Sequence, residues 1–186
     1  MSVASILWNR LDTPGHDACR LIEKHGGWEV EGTAVFDKGG TPARLDYSVA
    51  CDASWRTRWG RVRGWIGTRA LDLYIARTAP GAWTVNGDEV LPAMDCVDLD
   101  LGFTPATNLI ALRRLDLPVG QRAKTFTAWL DDETFRLEVL EQNYRRQNGS
   151  EYAYESPRFN YSGVLEVDAL GFVRRYPQLW DAVTET

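Results

Sequence analysis

The 186-residue sequence is poor in the side chains on which nucleophilic and metal-dependent catalysis depend. Its two histidines, His16 and His25, lie in turn-like contexts, and its three cysteines are far apart and form no Cys-x-x-Cys pair. This usage indicates neither a disulfide framework nor a zinc site, and no cysteine lies in an activating motif. A Gly-x-Ser-x-Gly motif and a phosphate-binding glycine loop are also missing. We therefore predict no catalytic residues, no metal ion and no cofactor.

The sequence also lacks a long apolar run and a strong excess of charge. No segment approaches the roughly 20 apolar residues of a membrane-spanning helix, so we expect no integral membrane segment. The first ten residues carry neither a basic region nor a long apolar run, which predicts no export signal and a cytoplasmic location. A net charge of −5 argues against a nucleic-acid partner, because such binding depends on neutralising phosphates.

What the sequence does contain is alternation of apolar and polar residues, with eight tryptophans, seven tyrosines and six phenylalanines. About a dozen short extended segments are separated by turn residues, and Asn86-Gly87 is the clearest tight hairpin turn. Residues 177–183 begin with a proline and predict a short terminal helix. No low-complexity linker divides the chain. We therefore predict a single domain, residues 1–186, that is mainly antiparallel β.

The densest group of charges lies in residues 94–115. The first half of this stretch alternates like a two-faced strand and places Asp98 and Asp100 on one face. After a Thr-Pro break, the second half ends in Arg113 and Arg114. Charges flanked by apolar residues need partners. Either the arginines neutralise the aspartates, which we favour, or one set of charges faces a ligand.

Two other interpretations of these aspartates remain open. Asp95, Asp98 and Asp100 suggest a metal site, but the spacing lacks the glycine and the terminal glutamate of a calcium loop. A carboxylate pair could also perform acid and base steps on a glycosidic bond. An alternative function is therefore a hydrolase or isomerase that uses Asp98 and Asp100. A further alternative is a β-sheet module that binds another protein.

Aromatic and basic residues share strands in this otherwise acidic chain. If residues 55–65 form a regular strand, Trp55, Trp59 and Trp65 share one face with two arginines. Rings suit sugar faces or acyl chains, and guanidinium groups suit phosphate or carboxylate. A curved sheet that partly closes encloses an apolar cavity with a few polar anchors. The pattern therefore favours a binding site for an amphipathic ligand.

Four motifs resemble the bacterial putative glycolipid-binding family. They are Cys96-Val-Asp-Leu-Asp-Leu-Gly-Phe-Thr-Pro-Ala-Thr-Asn108, Leu112-Arg-Arg-Leu115, Glu141-Gln-Asn-Tyr-Arg-Arg146 and Tyr152-Ala-Tyr-Glu-Ser156. Leu45-Asp-Tyr47, Leu165-Glu-Val-Asp-Ala-Leu-Gly-Phe-Val173 and Tyr176-Pro177 extend the resemblance over nearly the whole chain. It implies a curved antiparallel meander sheet that forms a half-barrel or β-roll, similar to the lipoprotein carriers of the bacterial envelope, with a concave hydrophobic face. It implies no catalytic residues.

We predict that the protein binds a lipid or glycolipid in the concave face of its sheet, without catalysis. The three tryptophans would line the apolar part, and Arg113 and Arg114 would anchor a polar head. Asp98, Asp100 and Asn108 would order those arginines or accept hydrogen bonds from sugar hydroxyls. The predicted ligand-binding residues are Trp55, Trp59, Trp65, Asp98, Asp100, Asn108, Arg113, Arg114, Tyr152 and Tyr154. The pattern predicts no oligomeric state.

Overall fold

A computed structural model of the chain describes residues 2–78, 81–90 and 96–183. These residues form fifteen strands. The first eight are β1 (Ser2–Arg10), β2 (Gly15–Lys24), β3 (Gly27–Asp37), β4 (Pro42–Asp52), β5 (Thr57–Ile66), β6 (Arg69–Arg77), β7 (Trp83–Val85) and β8 (Asp88–Val90). The other seven are β9 (Asp98–Leu101), β10 (Arg122–Leu130), β11 (Leu137–Arg146), β12 (Glu151–Ser156), β13 (Tyr161–Val167), β14 (Val173–Tyr176) and β15 (Trp180–Ala182).

Within the described residues, two helices accompany the strands. An eight-residue α-helix, α1, spans Asn108–Leu115, and a single 3₁₀ turn spans Pro157–Phe159. Across the described ranges, no helix has both the length and the apolar character needed to cross a bilayer.

All fifteen strands belong to one sheet. The first eight strands form an antiparallel meander, and β1 pairs on its other side with β15, so the two ends of the chain meet within the sheet. The order then runs from β15 back to β10, and β9 is added parallel to β10. The strands β8 and β9 are the two ends of this order, so the sheet is not closed into a barrel. The predicted mainly antiparallel, curved sheet is therefore confirmed.

Local turn chemistry explains one hairpin, and long-range pairing overrides one helix prediction. Asn86 and Gly87 have φ of 52° and 93° and join β7 to β8, as expected for a two-residue turn that needs positive φ.

The predicted terminal helix over residues 177–183 is wrong. Trp180–Ala182 is β15 and pairs with both β1 and β14, because hydrogen bonds to two strands outweigh a short helix that lacks support of its own.

The curvature brings one end of the sheet against its middle. The backbone N–H of Thr57, at the start of β5, donates to the carbonyl of Val97 at 3.1 Å. The N–H of Leu99 in β9 donates to Thr57 Oγ1 at 3.0 Å. Gly60 in β5 allows this approach, because a Cβ there would lie 2.3 Å from Leu99 Cδ2. Strand β9 therefore packs against the inner side of β5.

The chain fills much of the concave side of its own sheet. Leu99, Leu101 and Phe103 are fully buried, as are Leu109 and Ile110 of α1. They belong to one apolar cluster with the inward-facing residues of β1–β7. A second cluster joins the other side of α1 to the tyrosine-rich inner face of β11–β14. The segment from β9 to α1 therefore packs against both halves of the sheet.

Replacing Leu99 with alanine is expected to lower the free energy of unfolding by about 2–5 kcal/mol, because a fully buried leucine leaves a cavity. Leu7→Ala is the matched control, since this leucine of β1 is 42% exposed and exposed substitutions usually change stability by less than about 0.5 kcal/mol. Urea titration of both variants measures the difference. Equal losses would contradict the position of β9 inside the curved sheet.

Candidate functional site

An ion pair joins Asp98 of β9 to Arg114 of α1. Arg114 Nε lies 2.7 and 2.9 Å from the two carboxylate oxygens, and Nη2 lies 2.6 Å from Oδ2. The same Nη2 donates to Thr125 Oγ1 of β10 at 2.8 Å. Burial raises the pKa of the Asp98 carboxyl, although Arg114 acts in the opposite direction. Asp98 and Arg114 therefore neutralise each other, as the favoured alternative predicted.

Arg113, the neighbouring arginine, contacts a ring stack instead. Its guanidinium carbon lies 5.3 Å from the centroid of the Trp55 ring, and Trp55 is stacked on Trp28 with centroids 5.0 Å apart. Trp55 precedes β5 and has a φ of 63°, a left-handed conformation that interrupts the alternation of an extended chain. Arg113 and Trp55 therefore form a contact of their own, separate from the Asp98 pair.

Trp59 and Trp65 share one face of β5, as predicted, but this is the outer face of the sheet. Trp59 stacks on Tyr74 with centroids 6.2 Å apart, and Trp65 is 39% exposed. The prediction that Trp55 shares their face is wrong. The register of β5 against β4 shifts near Cys51, and Trp55 lies before the shift. The structure does not bring the three tryptophans together.

Asp100 faces the same side of β9 as the ion pair but has different neighbours. Its Oδ1 accepts a hydrogen bond from Thr107 Oγ1 at 2.6 Å, and its Oδ2 accepts one from Gln142 Nε2 at 2.9 Å. The Tyr144 hydroxyl extends this network, because it contacts Gln142 Oε1 at 3.3 Å and accepts from Asn108 Nδ2 at 3.1 Å. Burial raises the pKa of Asp100 to about 6. The network fixes the orientation of the carboxylate.

A partly enclosed pocket of about 370 Å³ lies beside Asp100. Three of the predicted ligand-binding residues line it, namely Asp100, Asn108 and Tyr154. The other aromatic side chains in its wall are Trp129, Phe159, Tyr161, Tyr176 and Trp180. Further polar side chains in the wall are Asp12, Thr104, Asp132 and Ser156. The combination of many rings and a few fixed polar groups is typical of small-molecule sites.

Three tyrosines in this wall pack against one another. Tyr154, Tyr161 and Tyr176 have mutual centroid distances of 5.4–6.1 Å and meet edge-on or tilted. The Tyr161 hydroxyl donates to the carbonyl of Pro177 at 3.0 Å. The rings are therefore held by each other and by the chain that leads into β15.

The loop between β9 and α1 is anchored by a buried carboxylate. Thr104, which lines the pocket, donates its hydroxyl to Asp17 of β2, and the Tyr47 hydroxyl donates to Asp17 Oδ2 at 2.9 Å. Asp17 is fully buried, and this burial raises its pKa to about 6. The loop that follows Asp100 is thereby tied to the N-terminal half of the sheet.

A larger depression of about 1270 Å³ lies on the outer face of β1–β4. It is open to solvent, and four of its five charged side chains form two pairs, Arg20 with Glu31 and Arg44 with Asp46. Ion pairs of this exposed kind contribute little and leave few groups for a ligand. The smaller aromatic pocket is therefore the better candidate site.

Sequence reasoning identified only part of this pocket. Tyr152 shares the inner face of β12 with Tyr154, as predicted, but lies against Arg146 rather than in the pocket wall. The same alternation extends to Ser156, which the sequence analysis missed although its position on that face could be read from the spacing. Trp129 and Trp180 come from distant strands, and no local pattern links them. Asp95 lies outside the described residues.

The fold and the pocket define a class of protein, an all-β chain with one open, curved sheet and an aromatic pocket. The chain belongs to the family described as "Putative glycolipid-binding", whose profile matches residues 5–182. A crystal structure of a DUF1089 family protein from Pseudomonas aeruginosa is similar to it, with 28% identity and a TM-score of 0.76 over 89% of this chain and 91% of that one. No curated protein matches this chain. The family expected from the motifs is confirmed.

Removing the Arg114 side chain is expected to destabilise the fold strongly. Arg114→Met would leave Asp98 buried without its partner, and breaking a buried pair in this way costs about 3–5 kcal/mol. Arg113→Met is the matched control, because that arginine is exposed and lies over the ring of Trp55. Urea unfolding measures both variants, and Asp98→Asn combined with Arg114→Met should recover part of the loss. Equal losses for the two arginines would contradict the assignment.

The raised pKa of Asp17 predicts a specific pH dependence. The unfolded carboxyl titrates near 3.8 and the folded one near 6, so the folded protein binds the proton more tightly. This contribution favours the folded state at low pH and is lost as the pH rises through about 6.

Asp17→Asn removes that titration. Relative to the parent protein, we expect the variant to gain about 1–3 kcal/mol of stability between pH 5 and pH 8, measured by urea unfolding. Asp88→Asn, at an exposed position in β8, should show a constant difference from the parent over this range. A constant difference for Asp17→Asn as well would refute the shift.

Proposed function

We propose that the protein binds an amphipathic ligand, a lipid or glycolipid, without catalysis, and that the aromatic pocket beside Asp100 receives its polar head. The observation that carries this proposal is the wall of the pocket, where six aromatic rings surround a fixed carboxylate. Rings of this kind pack on sugar faces, while carboxylate and amide groups bind hydroxyls. The description of the family supports a glycolipid as the ligand. The proposal includes the predicted cytoplasmic location.

The size of the pocket supports a head group rather than a whole lipid. A volume of about 370 Å³ is near the lower end of the roughly 300–1,000 Å³ that small-molecule sites occupy. Phe159 lies in the wall and is 53% exposed, which places an apolar ring at the pocket mouth. An acyl chain that leaves the pocket would contact this ring.

The alternative of a carboxylate hydrolase has less support. It needs Asp98 and Asp100 as a working pair, but Asp98 is bound on both oxygens by Arg114. A carboxylate in such a pair is not free to exchange protons with a substrate. Asp100 alone lines the pocket, and in the proposed function it accepts hydrogen bonds from a ligand.

Native mass spectrometry tests the proposal on protein purified from its own host without a delipidation step. We expect an adduct with the mass of a lipid. Ser156→Leu, which adds bulk inside the pocket, should remove the adduct, whereas Ser162→Leu, at an exposed position on β13, should retain it. Thermal unfolding of both variants shows whether they fold. A parent protein free of adducts, or an adduct retained in folded Ser156→Leu, would count against the proposal.

A further inference from the structure

We propose that the pocket selects a head group that is rich in hydroxyls and carries no negative charge, namely the sugar of a neutral glycolipid, and that it discriminates against phosphate-bearing lipids. This inference rests on the proposed function and goes beyond it, since a lipid-binding pocket could equally favour an anionic head. Three features of the pocket carry it: its charge, its hydrogen-bonding groups and its rings.

The charge of the wall is negative. Asp12, Asp100 and Asp132 line the pocket, and no lysine, arginine or histidine is among the described residues of its wall. The cations behind the wall have acidic partners: Arg10 with Asp12 at 2.8 Å, Lys38 with Glu133 at 3.2 Å and Arg158 with Glu138 at 2.6 Å. Arg10 lies over the Trp180 ring, and its Nη1 is buried without a hydrogen-bond partner among the described residues, but Arg10 is not part of the pocket wall. An anionic head would therefore meet the carboxylate of Asp100 in a partly desolvated site, and no cation is among the described residues of the wall to offset that charge.

Arg113 and Arg114, the predicted anchors for an anionic head, do not change this balance. Arg114 is held by Asp98 and Thr125, and Arg113 lies over Trp55. Neither arginine lines the pocket. These two arginines therefore make their contacts within the fold.

The carboxylate of Asp100 needs hydrogen-bond donors, which a phosphate dianion does not supply. Thr107 donates to one oxygen of Asp100 and Gln142 to the other, and the backbone N–H of Leu101 also interacts with the carboxylate, which can accept about four bonds in all. A sugar hydroxyl both donates and accepts, so it can use this remaining capacity.

A second, independent observation points to a ligand with hydrogen-bonding groups. Ser156 Oγ lies in the wall and is buried, yet it has no hydrogen-bond partner of good geometry within the described residues, although the Tyr154 hydroxyl is nearby. A buried hydroxyl left without a partner costs about 1–3 kcal/mol. A hydroxyl of a bound sugar would satisfy it.

The rings alone do not distinguish a sugar from a quaternary ammonium group, because both pack against aromatic faces. The hydrogen-bonding groups do distinguish them. A quaternary ammonium group carries no N–H or O–H, so it would leave Ser156 without a partner and the free capacity of Asp100 unused. A sugar can pack against the rings and also form hydrogen bonds with the carboxylate of Asp100 and the hydroxyl of Ser156.

Isothermal titration of the full chain with three amphiphiles of equal tail length tests the inference. The probes are octyl glucoside, octyl phosphate and octyltrimethylammonium, each below its micelle-forming concentration and at neutral pH. We expect octyl glucoside to bind at least about tenfold more tightly than octyl phosphate. Asp100→Asn should reduce that ratio at least about threefold, since it removes the like charge that the phosphate meets. Asp88→Asn removes the same charge from an exposed site and should leave the ratio unchanged.

Each other outcome overturns a definite part of the argument. Octyl phosphate binding as tightly as octyl glucoside would overturn the selectivity while leaving amphiphile binding intact. Tightest binding of octyltrimethylammonium would replace the sugar by a cationic head. An unchanged ratio in Asp100→Asn would remove that carboxylate as its cause. Absence of binding by all three would refute the proposed function itself, and the inference with it.

Discussion

The ion pair between Asp98 and Arg114 is the interaction on which the interior of this protein depends. Strand β9, the loop after it and α1 can fill the concave side of the sheet only if their charges are neutralised, since burying an unpaired charge is costly. Arg114 binds both oxygens of Asp98 and reaches Thr125 on the next strand. One guanidinium thereby joins β9, α1 and β10, and it allows the two apolar clusters to form on either side of them.

The two aspartates of β9 show how neighbouring positions acquire different roles. Both lie on the same face, two residues apart, yet only Asp98 meets an arginine. Asp100 is held by the neutral groups of Thr107 and Gln142, and its pKa rises to about 6. Its charge is therefore oriented but not neutralised, and it faces a pocket rather than a partner. Asp98, the structural carboxylate, and Asp100, the candidate ligand-binding carboxylate, are thus separated by a single residue of β9.

The pocket itself is a product of the unusual strand order. The strands β12–β14 contribute tyrosines, β10 contributes Trp129 and β15 contributes Trp180, while the loop before α1 contributes Thr104. These elements meet because the chain returns on itself and β15 pairs with β1. The loop is in turn held from the other half of the sheet by Asp17. A site assembled in this way lies at the junction of both halves, which explains why a single motif does not mark it.

The sequence by itself determined the class of fold, because alternation and turn residues act over short distances. It also predicted the two faces of residues 96–101, the hairpin at Asn86-Gly87, and Asp100, Asn108 and Tyr154 as candidate binding residues. The tertiary structure decided the rest. It assigned Arg114 to Asp98, moved Trp59 and Trp65 to the outer face, converted the expected terminal helix into β15, and assembled Trp129, Tyr161, Tyr176 and Trp180 around one pocket. Partners of this kind are far apart along the chain, and only the curvature and register of the sheet bring them into contact.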